Sequence, residues 1–282
     1  MTFDFETIID RRGKDAVAVD APAVQMSGGF FPETKVQEEF SIIPMWVADM
    51  NFQTAPAVAQ AIRSRADHHL YGYFLPPSQY FQSIINWQKE RNGVTDLKPE
   101  HIGYENGVLG GVVSALRILC SNGDPVLVQT PTYVGFTHSL EDNGWKSVLN
   151  PLKRDAEGIW RMDYEDMERK IIENHVHAAI FCSPHNPSGR VWQAWEIEKA
   201  MEIFARHDVY VIADEIWSDL TLPGYHHIPT QSVSEDARNR TIALYSPSKA
   251  FNLAGLVGSY HIVYNAYLRD RIRREATMTH YN

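Results

Sequence analysis

The stretch 178–214, AAIFCSPHNPSGRVWQAWEIEKAMEIFARHDVYVIAD, decides the fold. It opens on an unbroken apolar run, 178–182, too short for a helix and lacking the polar alternation of a half-exposed strand. Such a run reads as a strand buried on both faces. Ser183-Pro184-His185-Asn186-Pro187-Ser188-Gly189 then breaks the chain with turn formers. From 195 to 207, Ile197, Met201 and Phe204 recur at helical spacing, and 209–213 is a second buried strand. Strands alternating with helices imply a mostly parallel sheet covered on both faces.

The same alternation extends in both directions. Helices are expected at 54–68 (Ala57, Val58, Ala61, Ile62), 80–91 (Phe81, Ile84, Ile85) and 133–143, and at 163–174 with Asp163 as its N-cap. The small, apolar segment 108–120 reads as a buried helix leaving the Asn106-Gly107 turn. Further strands are expected at 126–129, 241–245 and 259–263. Residues 1 to about 45 carry little periodicity, and Gly28-Gly29 marks an irregular arm. The expected architecture is α/β with three layers, α/β/α, around a mostly parallel sheet. No internal repeat, low-complexity tract or flexible linker interrupts it.

With 282 residues, 44% hydrophobic and 11% aromatic, the chain is long enough to bury roughly three quarters of its unfolded surface. A net charge of -9 argues against nucleic acid or an anionic membrane as partner, since both attract basic faces. Arg269, Arg271, Arg273 and Arg274 read as one solvated helix face. Cys120 and Cys182 lie in apolar stretches and are expected as buried free thiols, which suits a reducing cytoplasm. The first residues show neither a basic nor an apolar leader region, and no run approaches a membrane span, so a cytoplasmic protein is expected.

In open α/β sheets ligands bind beyond the carboxyl ends of the strands. Three polar sets follow the expected strands: Ser183 to Arg190, then Asp214-Glu215-Ile216-Trp217, then Ser246-Pro247-Ser248-Lys249-Ala250. A fourth, Asn106-Gly107-Val108-Leu109-Gly110, opens a helix. Together they supply what pyridoxal phosphate requires. Lys249 offers an amine for a covalently held aldehyde. A carboxylate at Asp214 would keep a pyridine nitrogen protonated, and Asn186 has an amide for the phenolic oxygen. The helix entry at Gly107 to Leu109 presents backbone N–H groups to a phosphate, Ser246 and Ser248 add hydroxyls, and Tyr133 has a ring to stack. Taken singly, each has a plainer reading: surface lysine, turn aspartate, Asn-Pro turn, Gly turn, core aromatic.

These segments together resemble the fold-type I pyridoxal-phosphate enzymes, the class I/II aminotransferase superfamily, and most closely its carbon–sulfur β-lyase (cystathionine β-lyase-like) branch. The specific parts are CSPHNPSGRVW (182–192), Asp214-Glu215-Ile216 and SPSKAFNLAGL (246–256). Phe3-Asp4-Phe5, Ile9-Asp10-Arg11, PMWVADMNF (44–52) and Tyr71-Gly72-Tyr73 extend the likeness to nearly the whole chain. The resemblance implies Lys249 as Schiff-base lysine, Asp214 as partner of the pyridine nitrogen, Asn186 as donor to the phenolic oxygen and Tyr133 as stacking ring. It places Val108, Leu109, Ser246 and Ser248 at the phosphate, Tyr73 at the phosphate of a neighbouring subunit, and Val47 and Ala48 near the substrate carboxylate. A homodimer with shared sites is implied, with 1–50 as arm and part of a small domain and 51–282 as the large cofactor-binding domain.

The sequence departs from the family pattern in four places. Trp217 stands where aminotransferases carry tyrosine and β-lyases often histidine, Val257 where many aminotransferases carry a phosphate-binding arginine, and Ala250 where threonine is frequent. The family runs on for roughly another hundred residues, about one small domain, which hold a carboxylate-clamping arginine. The expectation is therefore a truncated chain lacking its C-terminal small domain.

The expected activity is α,β-elimination from L-cystathionine or a related L-cysteine conjugate, giving a thiol, pyruvate and ammonia. Lys249 would act as general base once burial and the cationic cofactor lower it from the usual lysine range near 10.4. Two other readings share the residues: transamination to a 2-oxo acid, and an inactive cofactor-binding or regulatory protein. His68-His69 and His226-His227 lack metal-ligand spacing and read as solvated or loop histidines. His185 reads equally as a turn residue or a neighbour of the site. Ser259 lies in no nucleophile elbow.

Overall fold

The computed structural model describes residues 3–20, 43 and 45–279. Gly28-Gly29 of the expected arm, Pro44 and residues 280–282 lie outside the described residues. The chain divides into two compact units, Met1–Gly72 with Phe251–Ala254, and Tyr73–Ala250 with Gly255–Asn282.

The first unit holds the short helix α1 (Val17–Asp20) and α2 (Pro56–Ala66). Proline at the start of α2 removes an N–H that would have had no partner. None of its residues is buried. Elsewhere in this unit Arg11 grips Asp49 through two hydrogen bonds, 3.1 and 2.6 Å. Asn252 donates to the Met50 and Phe52 carbonyls and accepts from Met50 N–H.

The second unit carries the remaining helices: α3 (Ser78–Asn92), α4 (Val108–Leu119), α5 (Val134–Asp142), α6 (Tyr164–Asn174), α7 (Ala194–Arg206), α8 (Glu235–Arg240), α9 (Pro247–Ala250) and α10 (Ala266–Thr279). Its strands are β1 (Ile102–Glu105), β2 (Pro125–Thr130), β3 (Lys146–Pro151), β4 (Lys153–Arg154), β5 (Trp160–Arg161), β6 (Ala178–Cys182), β7 (Tyr210–Asp214), β8 (Thr241–Tyr245) and β9 (Ser259–Ile262). Seven of them form one sheet in the order β1-β9-β8-β7-β6-β2-β3. β3, β2, β6, β7 and β8 run parallel; β9 runs against β8, and the edge strand β1, antiparallel to β9, points the same way as the five.

The unbroken apolar runs of the sequence are the central strands, every residue of β6 and β8 being buried. Alternate residues serve opposite faces, as the pleat requires. Ile180, Ile212 and Ile242 pack with Val112, Leu116, Phe136 and Leu268 of α4, α5 and α10. Ala179, Phe181 and Val211 pack with Met167, Ile197 and Phe204 of α6 and α7. These two cores make the three layers. Gly111 of α4 lets the helix approach β8 closely, because a Cβ there would lie 2.6 Å from Leu244 Cδ2.

Asp163 caps α6 by accepting from Asp166 N–H. The fold adds elements with weak sequence signals: β1, the edge strand β3 with its alternating exposure, and the two-residue pair β4 and β5. The α10 arginines only partly match a solvated face, since Arg269 donates to the Tyr264 carbonyl and Arg271 to that of Ile118. Cys182 is buried and Cys120 half-buried, both free. Among the described residues no helix is long and apolar enough to cross a membrane.

Candidate functional site

Three loops leave the carboxyl ends of β6, β7 and β8, and the register aligns them. Cys182 lies opposite Asp214, and Asp214 opposite Leu244, so the residues that follow emerge side by side. Parallel strands all end at the same edge of the sheet, so the loops that follow them are concentrated there.

Asp214, the last residue of β7, is 5% exposed. Burial pushes its carboxyl up to about 7; the Ile216 N–H that it accepts and the charge of Lys249 pull the other way, and Glu215 adds to the rise. An acid so placed is costly when ionised unless a cation lies against it.

Lys249 sits in the single turn of α9, half-buried, with Nζ 5.7 Å from the centre of the Trp217 ring. The tryptophan thus offers its π face to the amine. Ser246 is buried; its hydroxyl donates to the Gly258 carbonyl at 2.7 Å and accepts from Ser248 N–H at 3.1 Å. This turn holds the lysine segment against the loop that precedes β9.

Asn186 is half-buried in the loop after β6. Its N–H points to Cys182 Sγ at 3.4 Å, and the same sulfur lies 3.3 Å from the Pro184 carbonyl. Burial pushes the Cys182 thiol well up, so the sulfur is a neutral fastener of the loop. His185 is buried, bonded to Ser188 Oγ at 2.8 Å and set edge-on to Trp192, and burial pushes it down to about 4. It therefore packs as part of the turn. A cavity of about 450 Å³ is lined by Asn186, Trp217, Arg190 and Tyr225 among others.

Gly107 enters α4 at φ +79°, a left-handed conformation that suits glycine, and a Cβ there would meet nothing within 4 Å. The N-terminus of this 12-residue helix therefore opens on free space, with Val108 buried and Leu109 half-buried. Tyr133, 41% exposed, is the N-cap of α5. A Cβ at Gly135 would lie 2.4 Å from the Tyr133 ring and 2.9 Å from Leu109 Cδ1, so Gly135 is the gap that lets ring and helix start meet.

The second unit thus gathers Lys249, Asp214, Asn186, Ser246 and Ser248 on adjoining strand ends, with Tyr133, Val108 and Leu109 at two helix starts. Tyr73 is fully exposed, at 102%. Val47, half-buried, and Ala48, exposed, belong to the first unit.

The histidine pairs need a correction. His68, His69 and His226 are exposed as expected, but His227 is buried with Nε2 2.6 Å from Glu215 Oε2. Two adjacent histidines on extended backbone face opposite ways, so one member can be buried while the other is not. Among the described residues no group of His, Cys, Asp and Glu has a metal-ligand arrangement.

The family model for aminotransferases of class I and II matches residues 42–279, and the chain belongs to that family. It is 38% identical over 82% of its length, and 58% of the relative's, to cystathionine β-lyase PatB of Bacillus subtilis. The pyridoxal-phosphate-bound C–S lyase of Staphylococcus hominis superimposes with a TM-score of 0.87 at 32% identity, over 98% of this chain and 67% of that one. Cystalysin of Treponema denticola, which contains pyridoxal 5'-phosphate, gives 0.89 at 31% identity over 99% and 68%. The chain spans about 58–65% of the length of the first two curated relatives it matches.

Proposed function

We propose that the protein binds pyridoxal 5'-phosphate through Lys249 and cleaves the carbon–sulfur bond of L-cystathionine or a related L-cysteine conjugate. The observation that carries the reading is Asp214, a buried acid raised to about 7 at the end of β7, beside the end of β8 that leads to Lys249. A protonated ring nitrogen is the cation that relieves such a carboxylate. The open helix entry at Gly107 suits a phosphate dianion, so the residues fit the whole cofactor. The 38% identity to a cystathionine β-lyase supports elimination.

The cofactor, when bound, supplies an electron sink for the pair released as a bond to Cα breaks. The chain's own residues do the rest. Asp214 would hold the ring nitrogen protonated, Asn186 would offer its amide to the phenolic oxygen, and Tyr133 would offer its ring as a stacking face. Val108 and Leu109 would present N–H groups to the phosphate, joined by Ser246 and Ser248. Lys249 would anchor the aldehyde, and its Nζ, 5.7 Å from the centre of the Trp217 ring, would be the group that takes the Cα proton. With one water, cystathionine yields homocysteine, pyruvate and ammonia.

Val47 and Ala48 are proposed at the substrate carboxylate, and Tyr73 at the phosphate of a second subunit in a homodimer. Its full exposure leaves that ring available to a partner. Residues 1–50 are proposed as arm and small-domain portion, and 51–282 as the cofactor-binding domain. The two free cysteines support a reducing, cytoplasmic setting.

Borohydride reduction of the protein loaded with pyridoxal phosphate should fix the cofactor to Lys249, identified by peptide mass. Incubation with cystathionine should release pyruvate whether or not a 2-oxo acid is present. The family model favours a second reading, transamination. Amino transfer that depends on the acceptor, without pyruvate, establishes that reading instead; a link without turnover indicates a cofactor-binding protein.

A further inference from the structure

A second buried carboxylate adjoins Asp214, and no step above uses it. Glu215 is fully buried, and its N–H continues the ladder by donating to the Leu244 carbonyl at 2.9 Å. Its carboxylate accepts three hydrogen bonds: from Thr230 N–H at 2.8 Å on Oε1, from His227 Nε2 at 2.6 Å on Oε2, and from the Tyr245 hydroxyl on Oε2. These donors come from three places in the chain, the 3-10 turn Thr230–Ser232, the loop before it and the end of β8.

Tyr245 is the residue immediately before Ser246-Pro247-Ser248-Lys249. The carboxylate thus ties the strand end carrying Asp214 to the strand end carrying Lys249. Resting on the cofactor reading, we infer that Glu215 is a positioning residue. It fixes where Asp214 and Lys249 meet the cofactor ring, and its charge adds to that of Asp214 in calling for a cation.

The chemistry of the cluster sets the direction of the effect. His227 and Tyr245 face the Glu215 carboxylate, Asp214 adjoins it in sequence, and Cys182 and Tyr260 feel its charge. His227 Nδ1 is buried without a hydrogen-bond partner. The hydrogen bond to Glu215 thus runs through Nε2–H, since Nδ1 has no partner in the pocket. On Asp214 the neighbouring Glu215 and Lys249 act in opposite senses, the glutamate raising its carboxyl and the lysine lowering it. An amide at 215 would turn an NH2 group toward these donors, so at least one tie must break.

The test compares the wild-type protein with Glu215→Gln and Tyr245→Phe, each stripped of cofactor and titrated with pyridoxal phosphate across the pH range, following the absorbance of the bound cofactor. Glu215→Gln should bind about ten-fold or more weakly, the cost of one lost bond to a buried charge. The pH at which its binding turns on should also move down, because the neighbour that raises Asp214 has lost its charge. Tyr245→Phe should weaken binding while leaving that pH in place, since the charge remains. A purely structural role would lower stability without moving the pH profile. Wild-type affinity and profile in Glu215→Gln overturn the inference; if that variant does not fold, wild-type affinity in Tyr245→Phe overturns it. A wild-type protein that forms no reducible link at Lys249 fails the cofactor reading, a result distinct from either.

Discussion

Asp214→Asn should stabilise the cofactor-free protein above neutral pH while weakening its hold on the cofactor. Burial moves the carboxyl from 3.8 to about 7. The folded chain therefore keeps this proton over a range in which the unfolded chain has released it, so the contribution to stability is complete below about 4, falls as pH rises, and levels off above about 7. At 1.36 kcal/mol per unit the plateau penalty is about 4 kcal/mol. Asparagine titrates in neither state. The stability of the variant relative to wild type should therefore rise by about 3 kcal/mol between pH 5 and pH 8. Urea unfolding of both proteins across that range measures it. A cation bound against Asp214 recovers up to the whole penalty, so the variant should bind pyridoxal phosphate up to about a thousand-fold more weakly. Parallel stability curves for the two proteins would refute the buried-ion argument, whatever the affinities.

Other substitutions probe the frame that holds the site. Gly111→Ala pushes a methyl to 2.6 Å from Leu244 Cδ2, and thermal unfolding should register a loss of about 1–3 kcal/mol. Gly107→Ala forces an L-residue to φ +79°; it should cost about 1–2 kcal/mol and weaken phosphate binding, read as a higher dissociation constant for pyridoxal phosphate. Phe204→Ala empties a fully buried position against β6 and β7, and denaturant unfolding should show a loss of about 3–5 kcal/mol. His185→Gln removes a buried neutral imidazole held down to about 4. Wild-type stability should fall as pH drops from about 6.5 toward 4, by about 3 kcal/mol, and this fall should be missing from the variant's denaturation curves.

The parallel strands were legible because their residues face helices on both sides and so carry no polar alternation. β6 and β8 match their expected limits, and β7 is shifted by one residue, beginning at Tyr210 and ending on Asp214. Where a strand is short or lies at an edge, burial no longer writes itself into composition, and β1 and β3 carried no such signal. α2 shows the converse. Its apolar residues have helical spacing, yet none is buried, because spacing specifies a face without specifying what covers it. The Lys249, Asp214 and Asn186 segments were readable since each directly follows a strand in sequence, and strand ends converge in this topology.

Glu215 marks the limit of that reading. Its side-chain partners His227 and Tyr245 lie 12 and 30 residues away along the chain, and no local pattern announces them. A glutamate after a strand and a histidine in a loop each read as solvated until the fold buries both. Yet the same topology that sets Asp214 at a buried strand end requires something to pair the polar atoms beside it, because a buried polar group without partners costs about as much as a lost hydrogen bond. The cluster of Glu215, His227 and Tyr245 is that requirement met from three distant places. It follows that the residues proposed to face the cofactor are readable from order along the chain, whereas those proposed to fix their orientation become visible only once the sheet has assembled.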